Sequence, residues 1–147
     1  MRDSLNLLVA DDSQVDRFLL QRAFDETGVA LRALFVVDGQ EVLDYLKGVD
    51  GFGDRQEHPL PALIILDLKM PRLNAFDVLK WLKSQPDHHN TPVMILTDSD
   101  DAQDINRAYR MGVSAYVRKP SRASEIPDLV RAIENFWHRF VKLPTGN

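Results

Sequence analysis

Five short and almost uninterrupted apolar runs are spaced along the chain, with segments of helical periodicity between them. The runs cover residues 5–10, 31–37, 63–66, 93–96 and 115–117. A strand that is apolar at every position has both faces buried, which is typical of a parallel sheet covered by helices on both sides. The pattern therefore predicts five buried parallel strands.

The segments between the runs carry apolar residues at helical spacing and are bounded by helix start and stop signals. The first helix is predicted to start after Ser13 and end near Gly28, and the second to end before Gly48. The third is predicted to run from about Asn74 and stop before Pro86. The fourth is predicted from Asp101 to Met111, and the last from about Ser124. Strand and helix thus alternate five times, and such connections are right-handed. The sequence predicts an α/β protein with a (βα)5 doubly wound, five-stranded parallel sheet.

The length of 147 residues is enough for one domain with a full core and too small for two. We therefore expect a single domain over residues 1–147. The one long stretch without periodicity, about 48–61, is rich in glycine, proline and charge and is expected to be a loop insertion on the surface. Residues from about 124 to 147 are expected to form a C-terminal helix and tail.

Composition excludes several classes of protein. The chain has no cysteine, so disulfides and thiolate metal sites are excluded. No apolar run approaches the roughly 20 residues of a membrane-spanning helix, and no basic segment followed by an apolar stretch stands at the N-terminus. A net charge of −4 argues against a nucleic-acid partner, because such surfaces carry clustered Lys and Arg. The expected location is cytoplasmic, with no membrane or nucleic-acid partner.

Candidate site residues follow four of the five predicted strands, at the point where each strand ends. They are Asp11 and Asp12 after the first, Asp67 after the third, Thr97 after the fourth, and Lys119 with Pro120 after the fifth. The carboxyl ends of parallel strands meet at one edge of an open sheet, where the sites of α/β proteins form. Three carboxylates brought together repel one another, and a divalent cation relieves that repulsion. Carboxylate, carbonyl and water oxygens suit Mg²⁺.

These residues, in this order, resemble the receiver domain of two-component response regulators such as the chemotaxis regulator. The resemblance rests on the acidic pair, the DLKMP segment at 67–71, Thr97, and Tyr116 followed by Lys119 and Pro120. Thr97 follows Asp67 by 30 residues and Lys119 follows Thr97 by 22, both usual spacings in receivers. The resemblance covers essentially the whole chain and implies the flavodoxin-like receiver fold.

The resemblance implies that Asp67 is the phosphoacceptor, whose carboxylate attacks a phosphoryl group carried by a histidine of a sensor kinase. It also implies an Mg²⁺ site formed by Asp12, Asp67 and the main-chain carbonyl of Lys69, with Asp11 contributing through water. The cation would offset charge on the transferring group. Such a protein is a signalling phosphoacceptor rather than an enzyme, and its only chemistry is self-phosphorylation and self-dephosphorylation.

Four further residues take roles by the same resemblance. Thr97 and Lys119 would bind the oxygens of the phosphoryl group, and Pro120 would be a cis-proline that directs Lys119 into the site. Movement of Thr97 toward the phosphoryl group would let Tyr116 swing from an exposed to a buried position. This switch would remodel the surface formed by the fourth helix, fifth strand and fifth helix.

Three positions depart from the family or modify its chemistry. Ala75 stands where many receivers have glycine, and if the backbone there has a positive φ the alanine costs about 1 kcal/mol. Asp98 stands where a small residue is usual; it either obstructs small phosphodonors and alters hydrolysis of the acyl phosphate, or points into solvent and caps the fourth helix. Lys69 is also placed to influence dephosphorylation.

The chain ends soon after the fifth helix, so we expect no output domain and a signal read by an unidentified downstream protein. Phe136, Trp137 and Phe140 extend the apolar stripe of the last helix beyond what covering a sheet requires. We expect them at a homodimer interface. These aromatics, the Leu-Pro pair at 143–144 and the loop at 48–61 resemble single-domain regulators paired with phytochrome-type histidine kinases, which implies a bacteriophytochrome as the kinase partner.

Other interpretations remain open at this point. A dehalogenase-type phosphatase also uses a strand-end Asp nucleophile, but Lys69 stands where that family has its second Asp. A flavodoxin-like cofactor binder needs a phosphate-cradling loop after the first strand, where Asp11 and Asp12 would repel phosphate. A pseudo-receiver that acts without phosphorylation is the main alternative. Asp98 supports it, because this carboxylate stands beside the site where the family usually has a small residue. The adjacent His88 and His89 have no evident third metal ligand and are expected to be solvated.

Overall fold

In the computed structural model, which describes residues 4–143, five parallel strands form one sheet. The strands are β1 (Leu5–Ala10), β2 (Leu31–Val36), β3 (Leu63–Leu66), β4 (Val93–Thr97) and β5 (Ala115–Arg118). Their order across the sheet is β2-β1-β3-β4-β5. The chain therefore changes its direction of winding between β1 and β3, and ligand sites of open α/β sheets form at such a point. The predicted (βα)5 doubly wound architecture is confirmed.

Five helices cover the sheet, within a residue or two of the predicted bounds. They are α1 (Gln14–Thr27), α2 (Gly39–Lys47), α3 (Ala75–Lys83), α4 (Ala102–Arg110) and α5 (Ile126–Ile133). Ser13 caps α1 by accepting a hydrogen bond from the backbone of Asp16. Gly28 and Gly48 end the first two helices in the left-handed conformation that the sequence signals indicate.

The apolar strands supply two hydrophobic cores, one on each face of the sheet. Because successive side chains of a strand point to opposite faces, alternate residues join different cores. Leu8, Ile64 and Ile95 belong to the core under α2, α3 and α4, whereas Leu7, Ile65 and Leu96 belong to the core under α1 and α5. This double burial is the physical reason for the uninterrupted apolar runs.

The first helix has an exposed apolar surface that its sequence pattern does not predict. Val15 and Phe18 are 65% and 62% exposed, although their spacing contributes to the helical periodicity. The buried face of α1 is formed by Leu20, Ala23 and Phe24. At about 100° per residue, Val15 and Phe18 lie on the opposite side of the helix from Leu20. Both side chains are therefore left in solvent.

The loop at 48–61 is ordered against the end of α2. The guanidinium group of Arg55 donates hydrogen bonds to the carbonyl oxygens of Tyr45 and Leu46, each at 2.9 Å. These are carbonyls of the last helical turn, which have no partner inside the helix. The hydroxyl group of Tyr45 donates to the carbonyl of Pro59 at 2.8 Å. The predicted insertion thus folds back onto the domain.

The C-terminal helix changes its winding after Ile133. A one-turn 3-10 helix (Ala123–Glu125) precedes α5, and a π-helical segment (Glu134–Phe140) follows it. The carboxylate of Glu134 accepts a hydrogen bond from the backbone of Ala30 at 2.6 Å, which ties this transition to the start of β2. Within residues 4–143, no helix is both long and apolar enough to cross a membrane.

The expectation that Trp137 lies at an exposed interface is wrong. Trp137 is only 6% exposed and packs in the core under α1 and α5, whereas Phe136 is 56% exposed. A π turn is wider than an α turn, so four residues after Ile133 bring Trp137 back to the buried face and leave Phe136 outside. The side chain of Phe140 and all of Pro144 lie outside the described part of the chain.

Candidate functional site

Three carboxylates meet where β1 and β3 end. β1 and β3 are paired so that Ala10 lies beside Leu66, and the next residues, Asp11 and Asp67, therefore leave the sheet at the same edge. The backbone N–H of Asp67 continues the pairing by donating to the carbonyl of Ala10 at 3.0 Å. One oxygen from each of Asp11, Asp12 and Asp67 lies within 4.8 Å of the other two. The predicted acidic cluster is confirmed as a spatial fact.

The donor set and its exposure fit a hard divalent cation. The cluster offers only carboxylate oxygens, and oxygens that share one Mg²⁺ lie roughly 3–4 Å apart, within reach of small side-chain rotations. Asp11 is buried while Asp12 is exposed, so one side of the cluster is open to water. Asp12 and Lys69 line the same groove.

Lys119 reaches the acidic cluster from the end of β5. The backbone N–H of Lys119 donates to the carbonyl of Thr97 at 2.7 Å, which prolongs the β4–β5 pairing by one residue. Its Nζ atom lies 2.7 Å from Asp11, 2.8 Å from Asp16 and 3.0 Å from Asp67. The side chain is only 10% exposed. The ammonium group is therefore held by three acids at the edge where Asp67 stands.

Burial and hydrogen bonding act against each other at this site. Burial lowers the pKa of Lys119, but its hydrogen bonds to Asp11, Asp16 and Asp67 raise the pKa by more than burial lowers it. The net pKa of Lys119 therefore lies well above the ordinary value. Burial raises the pKa of Asp11 above its ordinary value, although the hydrogen bond from Lys119 opposes this. Lys119 is thus a permanent cation in a site crowded with acids.

The family assignment follows from the sequence and this geometry together. A family profile described as "Response regulator receiver domain" matches residues 7–131. This chain belongs to the response regulator receiver family. Receivers are the phosphoacceptor components of two-component systems, and a sensor histidine kinase is the kind of partner that they have. The predicted family, fold class and class of function are confirmed.

Similar proteins identify a group within the family. Response regulator Rcp1 of Synechocystis sp. (strain ATCC 27184 / PCC 6803 / Kazusa) is 30% identical over 140 residues, which cover 95% of this chain and 93% of Rcp1. The crystal structure of its Mn(2+)-bound form matches this receiver with a TM-score of 0.82 and 28% identity, over 96% of this chain and 99% of that one.

Two further solved structures point the same way. Response regulator RPA3017, in red light signaling of R. palustris, is 34% identical with a TM-score of 0.88, over 96% of this receiver and 99% of that chain. The phosphorylated cyanobacterial phytochrome response regulator RcpA is 30% identical with a TM-score of 0.86, over 97% and 99%. The predicted resemblance to phytochrome-paired regulators is confirmed.

The expectation of a cis-proline is wrong, because the peptide bond between Lys119 and Pro120 is trans. The lysine is directed into the site without it. The hydrogen bond from its backbone to Thr97 fixes where β5 ends, and three carboxylates draw the ammonium group inward. The trans form is also the intrinsically favoured one, by about 0.5–1 kcal/mol before proline.

Thr97 and Tyr116 lie on the neighbouring strands β4 and β5. Thr97 is buried and is the last residue of β4, which lies beside β3 and therefore ends at the same edge as Asp67. Tyr116 is half-buried in β5, and its hydroxyl group donates to the carbonyl of Ser99 at 2.8 Å. Tyr116 thus holds the connection that begins just after Thr97.

Asp16 is a site residue that the sequence analysis missed. It lies in the first turn of α1, and its carboxylate accepts a hydrogen bond from Lys119. An acid in the first turn of a helix is commonly explained by its favourable interaction with the helix dipole, so Asp16 does not stand out in the sequence. The available signal was its position four residues after Asp12, which starts α1 at the acidic edge.

The positions that depart from the family are resolved differently. Ala75 is the fully buried first residue of α3 and is not among the residues with positive φ; that conformation falls on Arg72 instead, with φ 63°. The helix α4 is capped by Asp101, so the capping role considered for Asp98 is wrong. Asp98 is exposed and lines a cleft with Asp16 and Lys119.

The two adjacent histidines, His88 and His89, belong to no group of three potential metal ligands within residues 4–143. His88 stacks on Trp81, with ring centroids 5.9 Å apart. The only cluster of three potential ligands within residues 4–143 is the one formed by Asp11, Asp12 and Asp67.

Proposed function

We propose that Asp67 accepts a phosphoryl group from a sensor histidine kinase and that this receiver passes on the signal by protein contact. The observation that carries the proposal is the position of the Asp67 carboxylate, 3.0 Å from Lys119 and within 4.8 Å of Asp11 and Asp12. Residues 1–147 would act as one receiver domain in the cytoplasm, where such kinases draw phosphoryl groups from ATP. No turnover of another substrate is proposed.

The chemistry follows from the charges at the edge of the sheet. An oxygen of Asp67 attacks phosphorus, the bond to the kinase histidine nitrogen breaks, and its electron pair leaves with the imidazole ring. Asp12, Asp67 and the main-chain carbonyl of Lys69 would hold Mg²⁺, with Asp11 acting through water; when bound, the cation offsets charge on the transferring group. Lys119 places a permanent positive charge where the phosphoryl oxygens arrive.

The output of the site runs through Thr97 and Tyr116. The hydroxyl group of Thr97 hydrogen-bonds the phosphoryl group, which draws the end of β4 toward Asp67. Tyr116 contacts the next part of the chain, since its hydroxyl group bonds to Ser99. A shift of this connection therefore changes the environment of Tyr116 and, with it, the surface of α4 and β5.

The kinase would contact the exposed apolar surface of α1. Val15 and Phe18 are large, solvent-exposed and within one or two turns of the acidic edge. Phosphoryl transfer requires the donor histidine to reach Asp67, so the contact surface must border this edge, and exposed apolar residues favour an interface. A bacteriophytochrome is the proposed kinase, supported by the similarity to RPA3017 and RcpA.

Homodimer formation through the C-terminal segment is also proposed. Phe136 supports it, because an aromatic side chain that is 56% exposed at the end of a domain favours burial against a partner. A downstream protein would recognise the phosphorylated form of the α4, β5 and α5 surface.

Phosphorylation with a matched variant tests the proposal. The protein is incubated with Mg²⁺ and either acetyl phosphate or an autophosphorylated bacteriophytochrome kinase, and the phosphoprotein is separated on a phosphate-affinity gel. We expect a shifted band from the wild type that is absent from Asp67→Asn and after chelation of Mg²⁺. A wild type that stays unphosphorylated with every donor would favour the alternative, a pseudo-receiver that signals without phosphorylation.

A further inference from the structure

A strained turn lies in the loop between β3 and α3, close to the proposed metal site. The backbone N–H of Leu73 donates to the carbonyl of Pro71 at 2.8 Å, which closes a turn of only three residues. The residue in its middle, Arg72, has φ 63°. This left-handed conformation costs a side-chain-bearing residue about 1–2 kcal/mol. Such strain persists only where surrounding structure holds it in place.

The side chain of Arg72 provides the first of two attachments. Its Nε atom donates to Oδ2 of Asp38 at 2.7 Å and its terminal nitrogen donates to Oδ1 at 3.1 Å. Asp38 is buried and is itself fixed, because it caps α2 by accepting a hydrogen bond from the backbone of Glu41 at 2.8 Å. A bidentate, charge-assisted pair of this kind fixes orientation as well as distance.

The backbone of Gly39 provides the second attachment. Its N–H donates to the carbonyl of Leu73 at 3.1 Å. A Cβ atom at position 39 would lie 2.2 Å from that carbonyl oxygen, a distance that no side chain tolerates. Glycine is therefore required for the two segments to approach so closely. Asp38 and Gly39 thus bond to two consecutive residues of the turn, Arg72 and Leu73.

The turn at residues 71–73 belongs to the same loop as the main-chain carbonyl of Lys69. One end of this segment is fixed where Asp67 bonds to Ala10, and the other where the backbone of Ala75 bonds to the carbonyl of Leu68 at 3.1 Å. The part between these bonds depends on the turn at Arg72. Lys69 has an exposed side chain and lines the groove beside Asp12, so its own side chain does not anchor it in the core.

We propose that Arg72 and Asp38 are positioning residues, which hold the loop at 68–74 so that the carbonyl of Lys69 faces the divalent cation beside Asp12 and Asp67. This inference rests on the proposed function. The ion pair links the segments that follow β2 and β3, the two strands on either side of β1. It makes the geometry of the metal site depend on a side chain that touches neither the metal nor the phosphoryl group.

The test measures Mg²⁺ binding to the unphosphorylated full chain by isothermal titration calorimetry. Arg72→Met removes the pair, and we expect its dissociation constant for Mg²⁺ to rise about tenfold, as for other residues that orient metal ligands. Arg72→Lys keeps the positive charge but loses the bidentate guanidinium group. Its dissociation constant for Mg²⁺ is expected to lie between those of the wild type and Arg72→Met. Asp38→Asn keeps the helix cap, because asparagine caps helices as well as aspartate does, and is expected to resemble Arg72→Met.

The matched control is Arg22→Met, which removes an exposed pair with Glu26 on α1 at the same 2.6–2.7 Å separation. It is expected to leave Mg²⁺ binding unchanged. Hydrogen exchange at the amides of residues 68–75, measured without metal, adds an independent readout: exchange is expected to accelerate in Arg72→Met and not in Arg22→Met. The double variant Asp38→Asn with Arg72→Met is expected to bind Mg²⁺ no more weakly than either single variant.

Unchanged Mg²⁺ affinity and unchanged exchange in Arg72→Met would overturn the inference, even if the variant melts at a lower temperature. In that case the wild type still binds Mg²⁺ and is phosphorylated on Asp67, and the proposed function stands. If the wild type itself binds no Mg²⁺ and takes no phosphoryl group, the proposed function fails and the positioning role fails with it.

Discussion

The Nζ atom of Lys119 lies 2.8 Å from a carboxylate oxygen of Asp16, a residue of the first helix and not of any strand end. Its other two partners, Asp11 and Asp67, belong to the cluster that would hold the cation. Asp16 therefore offers the ammonium group a partner outside the cluster. When a cation binds Asp11 and Asp67, Lys119 can still form its ion pair with Asp16.

This arrangement predicts that Asp16→Asn weakens Mg²⁺ binding. The variant loses one negative charge near the cluster, and the ammonium group of Lys119 shifts toward the acids that the cation needs. Both effects act in the same direction, and about 1 kcal/mol of screened Coulomb energy corresponds to roughly a fivefold rise in the dissociation constant. Calorimetric titration with Mg²⁺ measures it.

The control for this prediction is Asp25→Asn, which removes a charge from an exposed position of the same helix, where the carboxylate accepts a hydrogen bond from the side chain of Gln21. It is expected to leave the dissociation constant within error of the wild type. An Asp16→Asn variant that binds Mg²⁺ as tightly as Asp25→Asn would contradict the role given to Asp16.

The exposed surface of α1 predicts a separation between two phosphodonors. The double substitution of Val15 and Phe18 by Ser removes apolar area that would contact the kinase but no group of the acidic site. We expect phosphoryl transfer from the kinase to slow by about tenfold, equivalent to about 1.4 kcal/mol of contact energy, while the rate with acetyl phosphate is kept. Initial rates with both donors measure this, and equal slowing with both would show damage to the site instead.

The adjacent aromatic residues Phe136 and Trp137 predict effects of different size on stability. Trp137→Ala leaves a cavity in the core and is expected to lower the free energy of unfolding by about 3–5 kcal/mol. Phe136→Ser loses an edge contact with Trp137, at 5.4 Å between ring centroids. Because Phe136 is already 56% exposed, the substitution is expected to cost less than about 1 kcal/mol. Urea denaturation measures both values.

Phe136→Ser is expected to weaken the homodimer, which light scattering over a range of concentrations detects. A wild type that stays monomeric at the highest concentration would rule out this interface. Trp137→Ala is not a test of dimerisation, because any change in assembly would be mixed with loss of the core.

The pair of Asp38 and Arg72 predicts a pH-dependent contribution to stability. Burial raises the pKa of Asp38, but hydrogen bonds from Arg72 and from the backbone of Glu41 lower it more, so the net pKa lies below its ordinary value. A carboxylate with a lowered pKa in the folded state adds stability above its unfolded pKa of about 4 and loses that stability as the pH falls through the folded value.

We therefore expect the wild type to exceed Asp38→Asn in free energy of unfolding by about 1 kcal/mol from pH 7 to 5. The difference is expected to shrink as the pH drops below about 4. Urea denaturation at several pH values measures it. A difference of unchanged size at pH 3 would show that the charge of Asp38 is not its source.

The elements and the main site residues follow from local chemistry. Continuous apolar runs require burial on both faces, and Ser13, Gly28 and Gly48 have backbone preferences that act within a few residues. Asp11, Asp67 and Thr97 are brought together by topology alone, because parallel strands end at one edge. Such inferences need only the residue and its place in the alternation of strands and helices.

Other features depend on contacts between distant parts of the chain. The trans bond before Pro120 is one, since the two isomers differ by only about 0.5–1 kcal/mol before tertiary contacts act. The left-handed backbone of Arg72 is another, because it depends on Asp38 and Gly39, more than 30 residues earlier. Nothing in the neighbouring sequence of Arg72 indicates that conformation.

By itself, the sequence determined the order of strands and helices, the two-sided burial of the sheet and the set of acids, hydroxyl and amine at its edge. Tertiary structure alone decided that Asp16 joins Lys119 and that Trp137 rather than Phe136 is buried. The reason is one of range: propensities and periodicity act over a few residues, whereas ion pairing and packing compare groups up to about a hundred residues apart, as Asp16 and Lys119 are.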